Sequence, residues 1–331
     1  MNSKYKTSLL ILLIILPLVI LVCAGSGAYF LKPWLIPKIL WEKLDGYEIL
    51  LYIRFPRVAL ALLVGSSLAI SGVAMQGLFR NPLASPDIIG VSSGASLGAA
   101  LWIVLFSHFV NINYGLSIAA FLGGVVVVLL ITKLGKISNL SGISALVLAG
   151  LAINAIAGSI LGLITYYSNE EELRSLVFWS MGGLGGINWK TIATTLPLFI
   201  IGFIILLPLG NSLNALSLGE SEAFHLGYNV KTCQRKIILG STLLVGASVS
   251  LAGGIGFIGL IIPHLLRTWI GADHRWLLFS SSIAGGILLL MADLLSRTIA
   301  IPAEIPVGIL TSLMGGPFFL WILIKQKSRL I

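Results

Sequence analysis

Ten apolar runs follow one another through this chain with only short polar breaks between them, and they occupy about residues 8 to 31, 57 to 79, 88 to 107, 115 to 135, 142 to 167, 190 to 208, 235 to 254, 256 to 270, 276 to 299 and 305 to 324. A helix rises 1.5 Å per residue, so about 20 apolar residues cross roughly 30 Å of hydrocarbon. The runs are continuous and rich in Leu and Ile, whereas a β-barrel would show short segments of alternating polarity. With 57% hydrophobic and 10% charged residues, the chain departs far from the balance of a soluble globular protein. The expectation is an all-α membrane protein of about ten transmembrane helices, forming one domain over residues 1 to 331.

The first run has a basic start and the small residues "CAGSGA", as a signal peptide would. Its length and the nine runs behind it favour a retained helix. Val22 stands where a lipoprotein signal would place a small residue before Cys23. Cys23 and Cys233 are the only cysteines, one in a run and one in a loop, which supports neither a disulfide framework nor a metal cluster.

An even number of crossings puts both termini on one side, and Lys and Arg near the span ends identify that side as cytoplasmic. It receives 13 of the 21 basic residues, among them Lys4, Lys6, Arg80, Lys231, Arg235, Arg267, Arg275 and Lys325. Seven of the 12 acids, including Glu170, Glu171, Glu172 and Glu304, fall outside. The net charge of +9 therefore reads mainly as topology. The basic residues are scattered and no nucleic-acid module is present.

Three segments are too long for simple connections: 32 to 56 and 168 to 189 outside, and 209 to 234 inside. In the inner one, Leu213, Leu216, Ala223, Phe224 and Leu226 fall at near-helical spacing on either side of Gly219, with Glu220 placed to start a second helix. Two short helices joined by a glycine corner are expected. An exposed amphipathic pair calls for a cytoplasmic partner to bury its apolar face; a solvated loop is the alternative.

The stretch "RFPRVALALLVGSSLAISGVAMQGLFRNPLASPDIIGVSSGA" (54 to 95) closely resembles the signature of the FecCD permease family. So do "FWSMGGLGGINW" (178 to 189), "ALSLGESEAFHLGYNV" (215 to 230), "GGIGFIGLIIPHLLRTWIGADHR" (253 to 275) and "ADLLSRTIAIPAEIPVGILTSLMGGPFFLWIL" (292 to 323). Five blocks in order cover most of the chain beyond residue 54.

The resemblance implies a ten-helix, vitamin-B12-importer-type permease fold in the bacterial cytoplasmic (inner) membrane. It implies a second permease subunit, identical or homologous, around a central pathway. An extracytoplasmic substrate-binding protein docks outside, and a cytoplasmic ABC ATPase dimer docks inside. No cofactor belongs to this chain, since ATP and magnesium sit on the ATPase. Consistent with that, the pattern G-x-x-x-x-G-K-[ST] occurs nowhere in the sequence.

Arg54 and Arg57 stand where the chain enters the membrane from outside, three residues apart, with Pro56 favouring a helix start beside them. By resemblance these two and Arg297 match arginines that meet acidic residues of the binding protein. Snorkelling to lipid headgroups is the competing reading. Asp293 lies four residues before Arg297 and is placed to pair with it. By the same carry-over Leu218, Gly219, Glu220 and Ala223 form the ATPase-coupling site. Ser141, Ile143 and Ser144 mark the cytoplasmic gate, although helix capping by Ser141 explains that residue equally well.

Pro82 and Pro86 in "RNPLASPD" cannot continue a helix and turn the chain at the inner face; by resemblance this corner also lies near the ATPase surface. Gly65, Gly72, Gly94 and Gly98 read as helix-packing positions, and Gln76 faces either the pathway or a neighbouring helix. The eighth run is only about 15 residues, roughly 22 Å of helix. Its lone His264, beside Pro263, reads as a packed interhelical group sooner than a ligand.

A secondary carrier would place acids or bases deep in its spans, and Asp293 with its ready partner Arg297 is the only good candidate. An intramembrane enzyme fits worse, with no H-E-x-x-H and four dispersed histidines. The expected function is a permease subunit, not an enzyme, that passes an iron(III)-siderophore chelate into the cytoplasm, with haem or vitamin B12 as alternative cargo.

Overall fold

The computed structural model describes residues 3–27, 29–106, 114–137 and 142–327, and every regular element among them is helical. In chain order these are α1 (Ser3–Gly25), α2 (Ile36–Glu42), α3 (Phe55–Phe79), α4 (Val91–Leu101), α5 (Gly115–Ile137), α6 (Gly142–Tyr167) and α7 (Glu170–Ser180). Then come α8 (Trp189–Leu206), α9 (Gly210–Leu218), α10 (Glu220–His225), α11 (Val230–Ala252), α12 (Ile258–Ile270), α13 (His274–Ser296) and α14 (Val307–Lys327). Among the described residues, seven helices are long and apolar enough to cross a membrane. The other three expected spans are the shorter apolar helices Val91–Phe106, Ile258–Ile270 and Val307–Ile322.

Several boundaries differ from the sequence reading for identifiable reasons. α1 stops at Gly25, six residues early, because Leu31 folds back to donate to the Gly25 carbonyl at 2.9 Å. A side chain at position 25 would strike the Leu31 carbonyl at 2.6 Å. The outer segment 32 to 56 is not a loop: it holds α2 and a π turn over Ile49–Arg54 that runs straight into α3, with Pro56 in the first turn. Pro56 has no N–H to return to that turn, and the Leu51 carbonyl instead accepts from Trp189 Nε1 at 2.7 Å. The other outer segment carries α7, started by a capping box in which Asn169 Oδ1 accepts from the Glu172 amide and Glu172 Oε2 from the Asn169 amide. α12 begins after Phe257, which adopts a left-handed φ of 67°.

α3 is the axle of the bundle, with 78% of its most apolar window buried, followed by α11 at 67% and α13 at 61%; α6 buries only 11%. Small residues let the central helices touch by backbone. A Cβ on Gly65 would lie 2.3 Å from the Gly285 carbonyl oxygen of α13, and one on Gly72 would lie 1.9 Å from that of Gly259 in α12. Gly94 and Gly98 meet α5 in the same way, at the Gly123 and Ala119 carbonyls. α1 runs alongside α13 in the same sense. Tyr5 at its start stacks on Trp276 at 5.6 Å, and Cys23 near its end meets Leu290 and Arg297.

Candidate docking and coupling sites

Two polar constructions sit at opposite ends of α13. At its far end Asp293, fully buried, stands between two arginines. Arg57 Nε donates to Asp293 Oδ1 at 2.8 Å, and Arg297 Nε lies 3.3 Å from Oδ2 as an ion pair without hydrogen-bond alignment. The i,i+4 pairing expected of Asp293 and Arg297 is present. Arg57 then reaches outward with both terminal nitrogens to Glu304, at 3.0 and 2.9 Å. That fork geometry suits a guanidinium against a carboxylate.

Arg54 and Arg297 do not point away from the protein. Arg54 is buried and donates to the backbone carbonyls of Ala24 and Tyr29. Arg297 donates to Ser26 at 2.9 Å and to Cys23 at 2.6 Å. Both therefore satisfy carbonyls at the end of α1 and just beyond it, where a helix leaves its last C=O groups without intrahelical partners. Among the three arginines only Arg57 engages a half-exposed acid, since Glu304 retains 50% of its side-chain surface. In the sequence Glu304 stands among the outer acids, with nothing beside it to mark this role. A partner 247 positions from Arg57 leaves no local spacing signal.

At the near end, α9 and α10 meet at Gly219, whose φ of 132° and ψ of 157° lie where a side chain is strained. The pair is two-faced. Leu213, Leu216 and Ala223 are buried against the bundle, whereas Leu218, Phe224 and Leu226 are 66%, 69% and 59% exposed. Glu220 opens α10 and accepts from Gln234 Nε2 at 3.1 Å. Of the expected coupling residues, Leu218 is on the outer surface and Ala223 is on the anchoring side. Arg80, at the start of the proline corner, approaches Gly219, placing that corner beside the helix pair. The corner is also pinned to α6, where Asn154 Nδ2 donates to the Asp87 carbonyl at 3.1 Å.

Ile143 and Ser144 lie in the first turn of α6, half-buried and exposed respectively; Ser141 lies outside the described residues. Gln76 faces neighbouring α12: it donates to the Gly259 carbonyl at 3.3 Å and accepts from Arg267 at 3.1 Å. His264 stands edge-on to Phe318 with centroids 6.0 Å apart.

Asp273 precedes α13 and caps it by accepting from the Arg275 amide at 3.1 Å. Hydrogen bonds from the Arg275 side chain, with a further one from Asn214, overcome partial burial and hold its carboxyl down to about 2. Its folded value thus lies below the unfolded value of about 4. The stabilisation is complete above that unfolded value and is lost as the pH falls through about 2. In detergent, the thermal-midpoint gap between wild type and Asp273→Ala is expected to stay constant from about pH 8 to about pH 5 and to narrow only below about pH 4. A gap that closed between neutrality and pH 5 would contradict this.

The chain is a bundle of apolar helices with a glycine-cornered helix pair on one face and a buried arginine–carboxylate network on the other. The chain belongs to the FecCD transport family, whose model matches residues 11–325. It is 43% identical to the hemin transport system permease protein HmuU of Yersinia pestis, over 99% of both chains. It is 37% identical to the vitamin B12 import system permease protein BtuC of Citrobacter koseri, over 98% of this chain and 95% of that one. A solved metal-chelate type ABC transporter in an inward-facing conformation superposes with a TM-score of 0.85 at 36% identity, covering 97% of this chain and 98% of the other. The chain is thus an ABC importer permease of FecCD type, a membrane transport subunit and not itself an enzyme.

Proposed function

We propose that this chain, with a second permease subunit, forms the pathway of a binding-protein-dependent importer in the bacterial cytoplasmic membrane and passes an intact metal chelate inward. The observation that carries this reading is the α9–α10 pair, which leaves Leu218, Phe224 and Leu226 exposed while Leu213, Leu216 and Ala223 anchor it. Apolar side chains so exposed on a cornered pair are a site for a partner. The partner proposed is a cytoplasmic ATPase dimer, which supplies ATP and magnesium. The start of α1, where Tyr5 stacks on Trp276, is assigned to that same side, and the gate is assigned to the start of α6 around Ile143 and Ser144.

On the opposite face the docking partner is an extracytoplasmic binding protein, with Arg57 as the principal contact. Arg54 and Arg297 join it only by exchanging the carbonyls they now hold at the end of α1 and just beyond it. Arg57 meets an acid of that protein by exchanging Glu304 for it, one carboxylate for another, so it steers and registers the partner more than it holds it. The first cargo proposed is an iron(III)-siderophore. Haem and vitamin B12 fit the relatives' names as well. Uptake of each labelled chelate by cells with and without the chain decides among them, and uptake of none would overturn a chelate cargo.

The test of the whole reading is co-purification from native membranes under mild detergent and crosslinking. Wild type is expected to bring down an ATPase chain, and Leu218→Asp/Phe224→Asp to lose it while staying folded. Wild type recovered without any ATPase would sink the proposal.

A further inference from the structure

The inner end of α13 is tied to α9 by one side chain, and its atoms leave a single consistent arrangement. Asn214 Nδ2 donates to Asp273 Oδ1 at 2.8 Å, and Asn214 Oδ1 accepts from the His274 backbone amide at 2.9 Å. The carboxylate only accepts and the peptide N–H only donates, so the amide cannot be flipped. The same Oδ1 lies 2.8 Å from His274 Nδ1, which therefore carries its proton and donates.

His274 is only 5% exposed, and its Nε2 has no hydrogen-bond partner. That nitrogen lies against Gly77 near the end of α3, where an added Cβ would stand 3.1 Å from it and 2.8 Å from Leu213 of α9. Gly210 makes a second contact: a Cβ there would meet the Arg275 Cα at 2.7 Å. The start of α9, the start of α13 and the end of α3 thus close on one point with no room for slack.

From that point α13 runs without proline through 23 residues to Ser296, about 35 Å of helix. Its far end carries Asp293 and is capped by Arg297, in the network that includes Arg57 and Glu304. Gly285 presses it on α3 midway.

We propose that Asn214 is a positioning residue for transport: it hands movement of the α9–α10 pair to the base of α13, and through that helix to the outer carboxylate network. This rests on the reading that α9–α10 receives the ATPase. Without the amide, the hydrogen-bonded tie between α9 and α13 is lost, and van der Waals contacts such as that at Gly210 resist their approach but not their separation.

The permease is reconstituted in liposomes with its ATPase and binding protein, and cargo transported per ATP hydrolysed is measured together with complex recovery and thermal midpoint. For Asn214→Ala the transport-to-hydrolysis ratio is expected to fall about tenfold, the size of a typical coupling free energy, with the complex still recovered. Asn214→Asp sets two carboxylates face to face and is expected to fall likewise. Asn214→Asp combined with Asp273→Asn exchanges donor and acceptor, and is expected to recover the ratio to within about twofold, as a double-mutant cycle between touching groups should.

A lowered thermal midpoint with an unchanged ratio in Asn214→Ala would make the residue merely structural and overturn the inference. If that variant cannot be recovered, equal ratios for Asn214→Asp and the exchanged pair would overturn it. Failure of the wild-type chain to bind any ATPase would instead remove the proposed function itself, and the inference with it.

Discussion

Asp293→Leu is expected to be the most damaging polar substitution in the chain, lowering stability by about 3–5 kcal/mol, the usual result of leaving buried charges without their partner. Asp293 has no exposed surface, and both Arg57 (11% exposed) and Arg297 (8%) depend on it. Leucine fills a similar volume but supplies no acceptor, so Arg297 would keep only backbone carbonyls and Arg57 only the half-exposed Glu304. Glu304→Gln is the matched comparison, because Glu304 touches the same Arg57 but is half-exposed; its loss is expected to cost about 0.2–1 kcal/mol. Thermal midpoints and folded yield in detergent decide the order. Equal losses would mean that Asp293 is not the centre of the network.

Gly65→Val is expected to abolish most folded protein. Its Cβ would lie 2.3 Å from the Gly285 carbonyl oxygen and 2.9 Å from the Leu289 Cβ, so α3 and α13 would have to separate. Overpacking commonly costs about 1–3 kcal/mol when side chains can yield, and here the obstacle is backbone, so the cost lies at or above that range. Gly158→Val on α6 is the control, since a Cβ there meets nothing within 4 Å. Protease resistance of the two variants in membranes separates the cases, and a folded Gly65→Val would show that the α3–α13 contact can open cheaply. Loosening that contact would also slacken the rod that joins Asn214 to Asp293, so a surviving variant should lose transport per ATP.

The glycines of α3, the i,i+4 pair Asp293–Arg297 and the Gly219 corner were all legible in the sequence, because each depends on spacing along one helix or on a single backbone demand. The helix over 170–180 is not evident from hydropathy, although its Asn169–Glu172 capping box is a local signal. It sits in a segment whose hydropathy resembles a loop. The fate of Arg54 and Arg297 was illegible for a different reason. Their place at span ends predicts outward-facing side chains, yet they turn onto carbonyls of Cys23, Ala24, Ser26 and Tyr29. Unsatisfied carbonyls at a helix end leave no mark in residue type.

By itself, the sequence determined that this chain is an all-helical membrane protein built on ten apolar runs, and its blocks carried the family. Apolar run length against bilayer thickness admits few other solutions. Only the tertiary structure decided which polar groups meet: Arg57 with Glu304, 247 residues apart, and Asn214 with Asp273 and His274, some 60 apart. A helix's own period relates residues three and four apart. Contacts between helices depend instead on which faces pack, and here the close approaches at Gly65, Gly72 and Gly77 set those faces.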